Sequence, residues 1–279
     1  MIPSRIAAFS DGNAGGNPAG VVIADNLPPV ADMQQIAKDI GYSETAFAAR
    51  DGAQWRVRYF APEKEVPFCG HATIALGVAL GKAYGAGRYD LALVDGPISV
   101  TAMQADAGWS AALQSPRTWS NPLPSQMRED VIGLFGFDAD MLDPRLPATL
   151  AFAGARHAVI ALKNRADVAA MAYDFAAGKA VMAKHDLTTI SLLHIVDEAL
   201  FVSRNAFAIG GVVEDAATGA AAAALGGALV DLAWPALSGG GRFTIRQGED
   251  MGQPSVLHVT VTGVPGDSVQ VSGTARMIA

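Results

Sequence analysis

Two segments of this chain are apolar nearly all the way round: His71–Tyr84 (HATIALGVALGKAY) and Thr218–Leu232 (TGAAAAALGGALVDL). A helix without a polar face cannot lie on a surface and has to be wrapped by other elements. Their many Ala and Gly residues let those elements approach the backbone closely. An offset of 149 residues superposes Gly70 on Gly219 and Ala75–Leu80 on Ala224–Leu229, and that offset is close to half of the 279 residues. The pattern predicts an α+β fold of two similar halves, each a sheet wrapped around one central helix.

The rest of the chain supplies strands for such sheets. Trp55–Phe60, Ile98–Met103, Val256–Val261 and Ser268–Ser272 alternate apolar and polar residues and read as strands. Asn26–Ile40 reads as a helix with Asp32 as its cap and Met33, Ile36 and Ile40 on one face. Ser115–Met127 is rich in Pro, Ser and Asn and reads as a linker. The first half is expected over 1–117 with helix 71–84, completed by a C-terminal strand at 268–279. The second half is expected over 118–267 with helix 218–232.

Composition narrows the function classes. The net charge of -7 argues against nucleic acid as a partner. The longest apolar run, Ala220–Val230, is far short of the roughly 20 residues that cross a bilayer, so no membrane span is expected. The N-terminal residues lack a secretion signal, and the expected location is cytoplasmic. The single cysteine, Cys69, excludes an intrachain disulfide and a Cys-rich zinc site. His157, His185, His194 and His258 form none of the metal-binding spacings, so no metal is expected.

Three places could carry chemistry. In Phe68-Cys69-Gly70-His71-Ala72-Thr73 a thiol, a glycine and an imidazole stand where a loop enters a buried helix. A helix N-terminus binds anions, and His71 can move protons near neutral pH. The plainer reading makes Cys69 a small buried hydrophobe and His71 a polar residue at the helix end. Glu214-Asp215 stand just before the second buried helix, where Asp215 is either a functional carboxylate or an ordinary N-cap. Glu44, in Tyr42-Ser43-Glu44-Thr45-Ala46-Phe47, is an acid in an apolar stretch. Pointing inward, it would have a raised pKa suited to a general base; pointing outward, it would be a solvated side chain. Alternation does not decide between the two.

Six segments, in this order along the whole chain, resemble the phenazine-biosynthesis isomerase (PhzF-like) family, within the diaminopimelate-epimerase fold. They are Gly16–Val22, Ser43–Phe47, Arg58–Thr73, Glu214–Gly219, Arg246–Gly248 with Met251–Ser255, and Val271–Ala275. The resemblance implies two halves, each a β-barrel-like sheet around its central helix, with the active site in the cleft between them, no cofactor, and a homodimer. It implies a cofactor-independent isomerase that moves a proton on a small unsaturated carboxylate, as in trans-2,3-dihydro-3-hydroxyanthranilate isomerisation for phenazine biosynthesis. Glu44 would be the base, with His71 and Asp215 as its catalytic partners. Asn17, Ser43, Gly70, Thr218, Gly219 and Ala220 would bind the substrate.

Two departures matter. Ala220 stands where the family commonly has serine, which removes a hydroxyl worth roughly 0.5–1.5 kcal/mol to a substrate that uses it. Two-thiol racemases of the same fold need a second cysteine, and Ala216 and Ala217 stand in the second half instead. The alternatives are a non-enzymatic carboxylate-binding protein and a racemase or epimerase that works without thiols.

Overall fold

A computed structural model describes residues 3–94, 96–105 and 108–278. The fold is α+β, and the chain divides into two compact units: Met1–Gln114 with Ser272–Ala279, and Ser115–Val271.

Unit 1 holds β1 (Ser4–Ala8), β2 (Asn17–Ala24), α1 (Val30–Ile40), β3 (Thr45–Asp51), β4 (Gln54–Phe60), β5 (Glu65–Val66), α2 (Gly70–Tyr84), β6 (Gly87–Leu93), β7 (Gly96–Ala105) and most of β8 (Gly108–Arg117). β1 pairs antiparallel with β2 and with the C-terminal end of the chain, Ile6 opposite Met277. The parallel pairs β2–β3 and β4–β6 are bridged by α1 and α2, as parallel strands require. α2 lies against β1, β2, β3, β6 and β7. Its close fit explains its glycines. A Cβ on Gly77 would stand 2.5 Å from Val100 Cγ2, and one on Gly81 2.5 Å from the Trp109 ring.

α1 covers β3 and β4 through Met33, Ala37, Phe47 and Phe60, the two rings meeting edge-on at 5.6 Å. β3 therefore has a helix on each side and is buried on both faces from Thr45 to Ala49. That is why alternation could not orient its neighbour Glu44. α1 starts at Val30, later than the expected Asn26, with Pro29 rather than Asp32 at its N-cap. Leu27 and Pro28 each precede a proline, which keeps them out of helical geometry.

Unit 2 holds β9 (Trp119–Pro122), α3 (Ser125–Phe135), β10 (Thr149–Phe152), β11 (Arg156–Leu162), α4 (Arg165–Ala169), α5 (Phe175–His185), β12 (Thr189–Ile195), β13 (Leu200–Ala206), β14 (Glu214–Asp215), α6 (Gly219–Asp231), β15 (Gly241–Gln247), β16 (Ser255–Val261) and the start of β17 (Ser268–Met277). β11–β12 and β13–β15 are parallel, bridged by α4–α5 and by α6. α6 packs on β9, β10, β11 and β16. A Cβ on Gly226 would meet methyls of Val259 and Val269 at 3.0 Å. Val131, Ile160, Leu162, Met182, Ile190 and Leu192 form a second core outside the strands that face α6.

The expected linker 115–127 is a correction: β8 runs on to Arg117, β9 follows, and α3 begins at Ser125. Of its three prolines, Pro116 stands one residue before the end of β8, Pro122 ends β9 and Pro124 is the N-cap of α3, and strand ends and N-caps are places that tolerate a missing N–H. The expected helices shift by one residue at one or both ends, α2 starting at Gly70 and α6 running from Gly219 to Asp231, with Thr218 as N-cap. The C-terminal strand ends at Met277, and Ala279 lies outside the described residues. Among the described residues no helix is long and apolar enough to cross a membrane.

Candidate active site

Each unit carries a polar cluster at the N-terminus of its central helix. In unit 1, α1 ends on the left-handed Gly41, φ 70°, whose N–H bonds Ala37 O. The chain then turns through Ser43 and Glu44 into β3. The Gly20 N–H of β2 donates to the Glu44 carbonyl at 3.2 Å. A Cβ on Gly20 would lie 2.6 Å from both Ile40 Cδ1 and Thr45 Oγ1, so only glycine fits there.

This turn sets the Glu44 side chain against the start of α2. Its Oε2 lies 3.4 Å from His71 Nε2, and the two side chains are 12% and 6% exposed. That oxygen is buried and, among the described residues, has no hydrogen-bond partner. Burial raises the Glu44 pKa above the ordinary carboxylate value, and hydrogen bonds from the Ser43 and Cys69 side chains offset part of the rise. Glu44 thus points inward, which settles the orientation that the sequence left open. Ser43 Oγ is 3.4 Å from His71 Nε2, and Cys69 Sγ is 3.4 Å from His71 Nδ1 and 3.9 Å from Nε2.

Cys69 is the N-cap of α2, and its side chain makes no capping bond to the helix. The backbone there is held from behind. Thr73 Oγ1 donates to the Cys69 carbonyl at 2.7 Å and pairs with the buried Tyr59 hydroxyl at 2.6 Å. β5 is pinned to β4 by Arg58, whose guanidinium donates to Glu65 at 2.6 and 2.5 Å. Gly70 is the first residue of α2. Asn17 is buried at the start of β2.

In unit 2, Asp215 ends β14, opposite Asn205. Thr218 Oγ1 donates to Asp215 Oδ2 at 2.5 Å. Gln247 Nε2 donates to the Asp215 carbonyl at 2.7 Å and to Thr218 Oγ1 at 3.1 Å, and Gln247 Oε1 accepts from the Thr218 N–H at 3.3 Å. The N-cap of α6 is Thr218, which makes no side-chain cap. Asp215 is therefore not the ordinary N-cap that was the plainer reading. Gly219 and Ala220 open the first turn of α6.

Glu214 plays a different part from its neighbour. Arg204 holds it with three N–O contacts of 2.5 to 3.1 Å, and the two side chains are 12% and 4% exposed.

The structure thus brings Ser43, Glu44, Gly70 and His71 together in unit 1, and Asp215, Thr218, Gly219 and Ala220 in unit 2. Gln247 was missed as a site residue. Its signal lay in the Arg246-Gln247-Gly248 segment. Gly248 has φ 74°, and a Cβ there would strike the Gln253 carbonyl at 2.3 Å.

The scattered histidines take structural places. His157 is wholly buried, which pushes its pKa down to about 3, and it bonds Thr189 at 2.7 Å. His185 pairs with Asp130, and His258 with Thr244.

The sequence profile of the family described as "Phenazine biosynthesis-like protein" matches residues 6–279. An uncharacterized isomerase of Escherichia coli (strain K12), YddE, is 33% identical, covering 98% of this chain and 95% of that protein. The trans-2,3-dihydro-3-hydroxyanthranilate isomerase of Pseudomonas fluorescens is 30% identical, covering 92% of this chain and 89% of that protein. The crystal structure of the Bacillus anthracis phenazine biosynthesis protein of the PhzF family superposes with a TM-score of 0.87 at 22% identity, covering 99% and 96% of the two chains, which speaks for the fold.

Proposed function

The chain belongs to the phenazine biosynthesis-like family and is an isomerase, and from that premise we propose that Glu44 moves a proton between two carbons of a small unsaturated carboxylate. The observation that carries this reading is the inward Glu44 carboxyl, buried against His71 with a raised pKa. A carboxylate in such a place is a stronger base than one in water, and holding it a few ångströms from an imidazole gives the proton a relay.

The reaction conserves its atoms. Glu44 takes a proton from one carbon as the electron pair moves into an extended enolate. The same carboxyl then returns a proton to a carbon further along. The N-termini of α2 and α6, neither capped by a side chain, present N–H groups and a positive dipole end suited to a carboxylate or an enolate oxygen. Asp215 is assigned a substrate-binding and proton-sharing part, with its carboxylate oriented by Thr218. A mechanism with two opposed thiols is set aside, because the sequence has one cysteine.

The substrate of the Pseudomonas fluorescens relative, trans-2,3-dihydro-3-hydroxyanthranilate, is the first compound to try. Ala220 in place of serine would weaken binding of any ligand that needs the hydroxyl, by about 0.5–1.5 kcal/mol. The test follows solvent deuterium uptake by NMR into that compound and into a panel of unsaturated amino and hydroxy acids. Uptake into at least one of them is expected, and its rate should rise with pH through a value above the ordinary carboxylate range. Undiminished uptake in Glu44→Gln would remove Glu44 from the mechanism.

A further inference from the structure

Glu44, Cys69 and His71 offer one oxygen, one sulfur and one nitrogen, all within 4.8 Å of one another. We propose that these three side chains form a binding site for a thiophilic divalent cation of the zinc class, and that the metal, when bound, blocks proton transfer at Glu44.

The geometry carries the coordination. A tetrahedral zinc holds sulfur at about 2.3 Å and nitrogen or oxygen at about 2.0–2.1 Å, which puts N and S about 3.6 Å apart and N and O about 3.3 Å apart. Here His71 Nε2 is 3.9 Å from Cys69 Sγ and 3.4 Å from Glu44 Oε2. Nitrogen thus already stands near the metal-bound spacing from both other donors. Three protein donors leave a fourth position open to water or to an anion.

The Glu44 oxygen supplies an independent reason. It is buried and has no hydrogen-bond partner among the described residues, which is costly for a carboxylate unless a proton or a cation satisfies it. A proton does so in the catalytic cycle. A divalent cation would do so more completely, and the mixed donor set selects zinc or cobalt over magnesium or calcium. On binding, the Cys69 thiol gives up its proton to solvent and the sulfur–metal bond forms, with no change of oxidation state.

Coordination stands apart from the isomerase reading; the block of proton transfer rests on it. Two readouts separate them. The first is Co²⁺ titration of the full-length apoprotein without oxygen, read as thiolate-to-cobalt charge transfer in the near ultraviolet and visible ligand-field bands. One equivalent should bind with tetrahedral-type intensity, and Zn²⁺ should displace it. Cys69→Ala should abolish the charge-transfer band. His71→Ala should weaken Co²⁺ affinity by at least about 100-fold, the cost of losing a direct ligand being no less than that of losing an outer one. Near-ultraviolet circular dichroism would verify that each variant is folded. If His71→Ala is not, Glu44→Gln, which is isosteric, takes its place with the same expected loss. Absence of the band in the wild-type protein, or its persistence in folded Cys69→Ala, would overturn the site.

The second readout is deuterium exchange with and without Zn²⁺. Stoichiometric Zn²⁺ should suppress exchange, and a chelator should restore it. Exchange unaffected by a metal that Co²⁺ spectroscopy shows to be bound would overturn the block and leave the site standing.

Discussion

Arg58 and Glu65 in unit 1 stand in the same relation as Arg204 and Glu214 in unit 2. Each arginine lies in the second strand of a hairpin, each glutamate opens a two-residue strand paired with it, and the central helix follows a few residues later. Phe60 faces Glu65 as Ala206 faces Glu214, and Tyr59 faces Val66 as Asn205 faces Asp215. The frame repeats, but the chemistry at the two helix starts does not. At α2 the carboxylate comes from a distant turn and keeps one oxygen without a hydrogen bond among the described residues. At α6 the carboxylate comes from the two-residue strand itself and is bonded by Thr218. A group left unsatisfied is available for proton transfer, whereas a bonded one is fixed in place for orientation.

The sharpest test of this contrast is Glu44→Gln, which should lower isotope exchange by about 10²–10⁴-fold, the usual contribution of a general base. The same change should stabilise the fold at neutral pH. Burial raises the Glu44 pKa, so the folded chain holds that proton more tightly than the unfolded chain. The stability from this group is fully present below the unfolded carboxyl range and is lost as the pH rises through the folded value. The advantage of Glu44→Gln in urea midpoint should therefore grow with pH across that window. A constant advantage would mean that Glu44 titrates normally.

The two arginine pairs should differ although the frame is shared. Arg204 and Glu214 are 12% and 4% exposed, against 26% and 29% for Arg58 and Glu65. Arg204→Leu strands a buried carboxylate and should cost about 3–5 kcal/mol. Arg58→Leu should cost under about 1 kcal/mol, because solvent screens the partner left behind. Equal losses in chemical unfolding would show that exposure is not what separates them.

The repeat was legible because buried helices leave a compositional mark: no polar face, and glycines where neighbours approach. The roles of Glu44 and Glu214 were not. β3 is buried on both faces, so alternation next to Glu44 had nothing to report. Glu214 and Asp215 are adjacent acids of similar burial, and only the position of Arg204, ten residues upstream across a hairpin, tells the acid held in an ion pair from the one bonded by Thr218. Gln247 was hidden for the same reason, since its bonds to Asp215 and Thr218 span about thirty residues. Local pattern carries burial; it does not carry partners that meet through the sheet.

Packing around the helices gives the next largest difference. Gly77→Ala would press a methyl to 2.5 Å from Val100 and should cost about 1–3 kcal/mol, as overpacking does. Gly226→Ala meets its valine methyls only at 3.0 Å and beyond, and the helix gains about 1 kcal/mol of propensity from alanine. Its net effect should be smaller, and thermal unfolding of the two variants measures the difference.

The smallest expected effect falls on the bond that defines the α6 cluster. Thr218→Val keeps the shape of the side chain and removes the hydroxyl that donates to Asp215 Oδ2 and accepts from Gln247 Nε2. One neutral bond and one charge-assisted bond are lost, at roughly 0.5–1.5 kcal/mol for the first and somewhat more for the second. The loss is softened because Gln247 keeps its bond to the Asp215 carbonyl. If the α6 cluster serves orientation, exchange in Thr218→Val should fall mainly through a raised KM, because Asp215 no longer points one way. A fall confined to kcat would instead tie Thr218 to the proton-sharing part of Asp215 rather than to substrate binding, and the division of labour between the two helix starts would have to be redrawn.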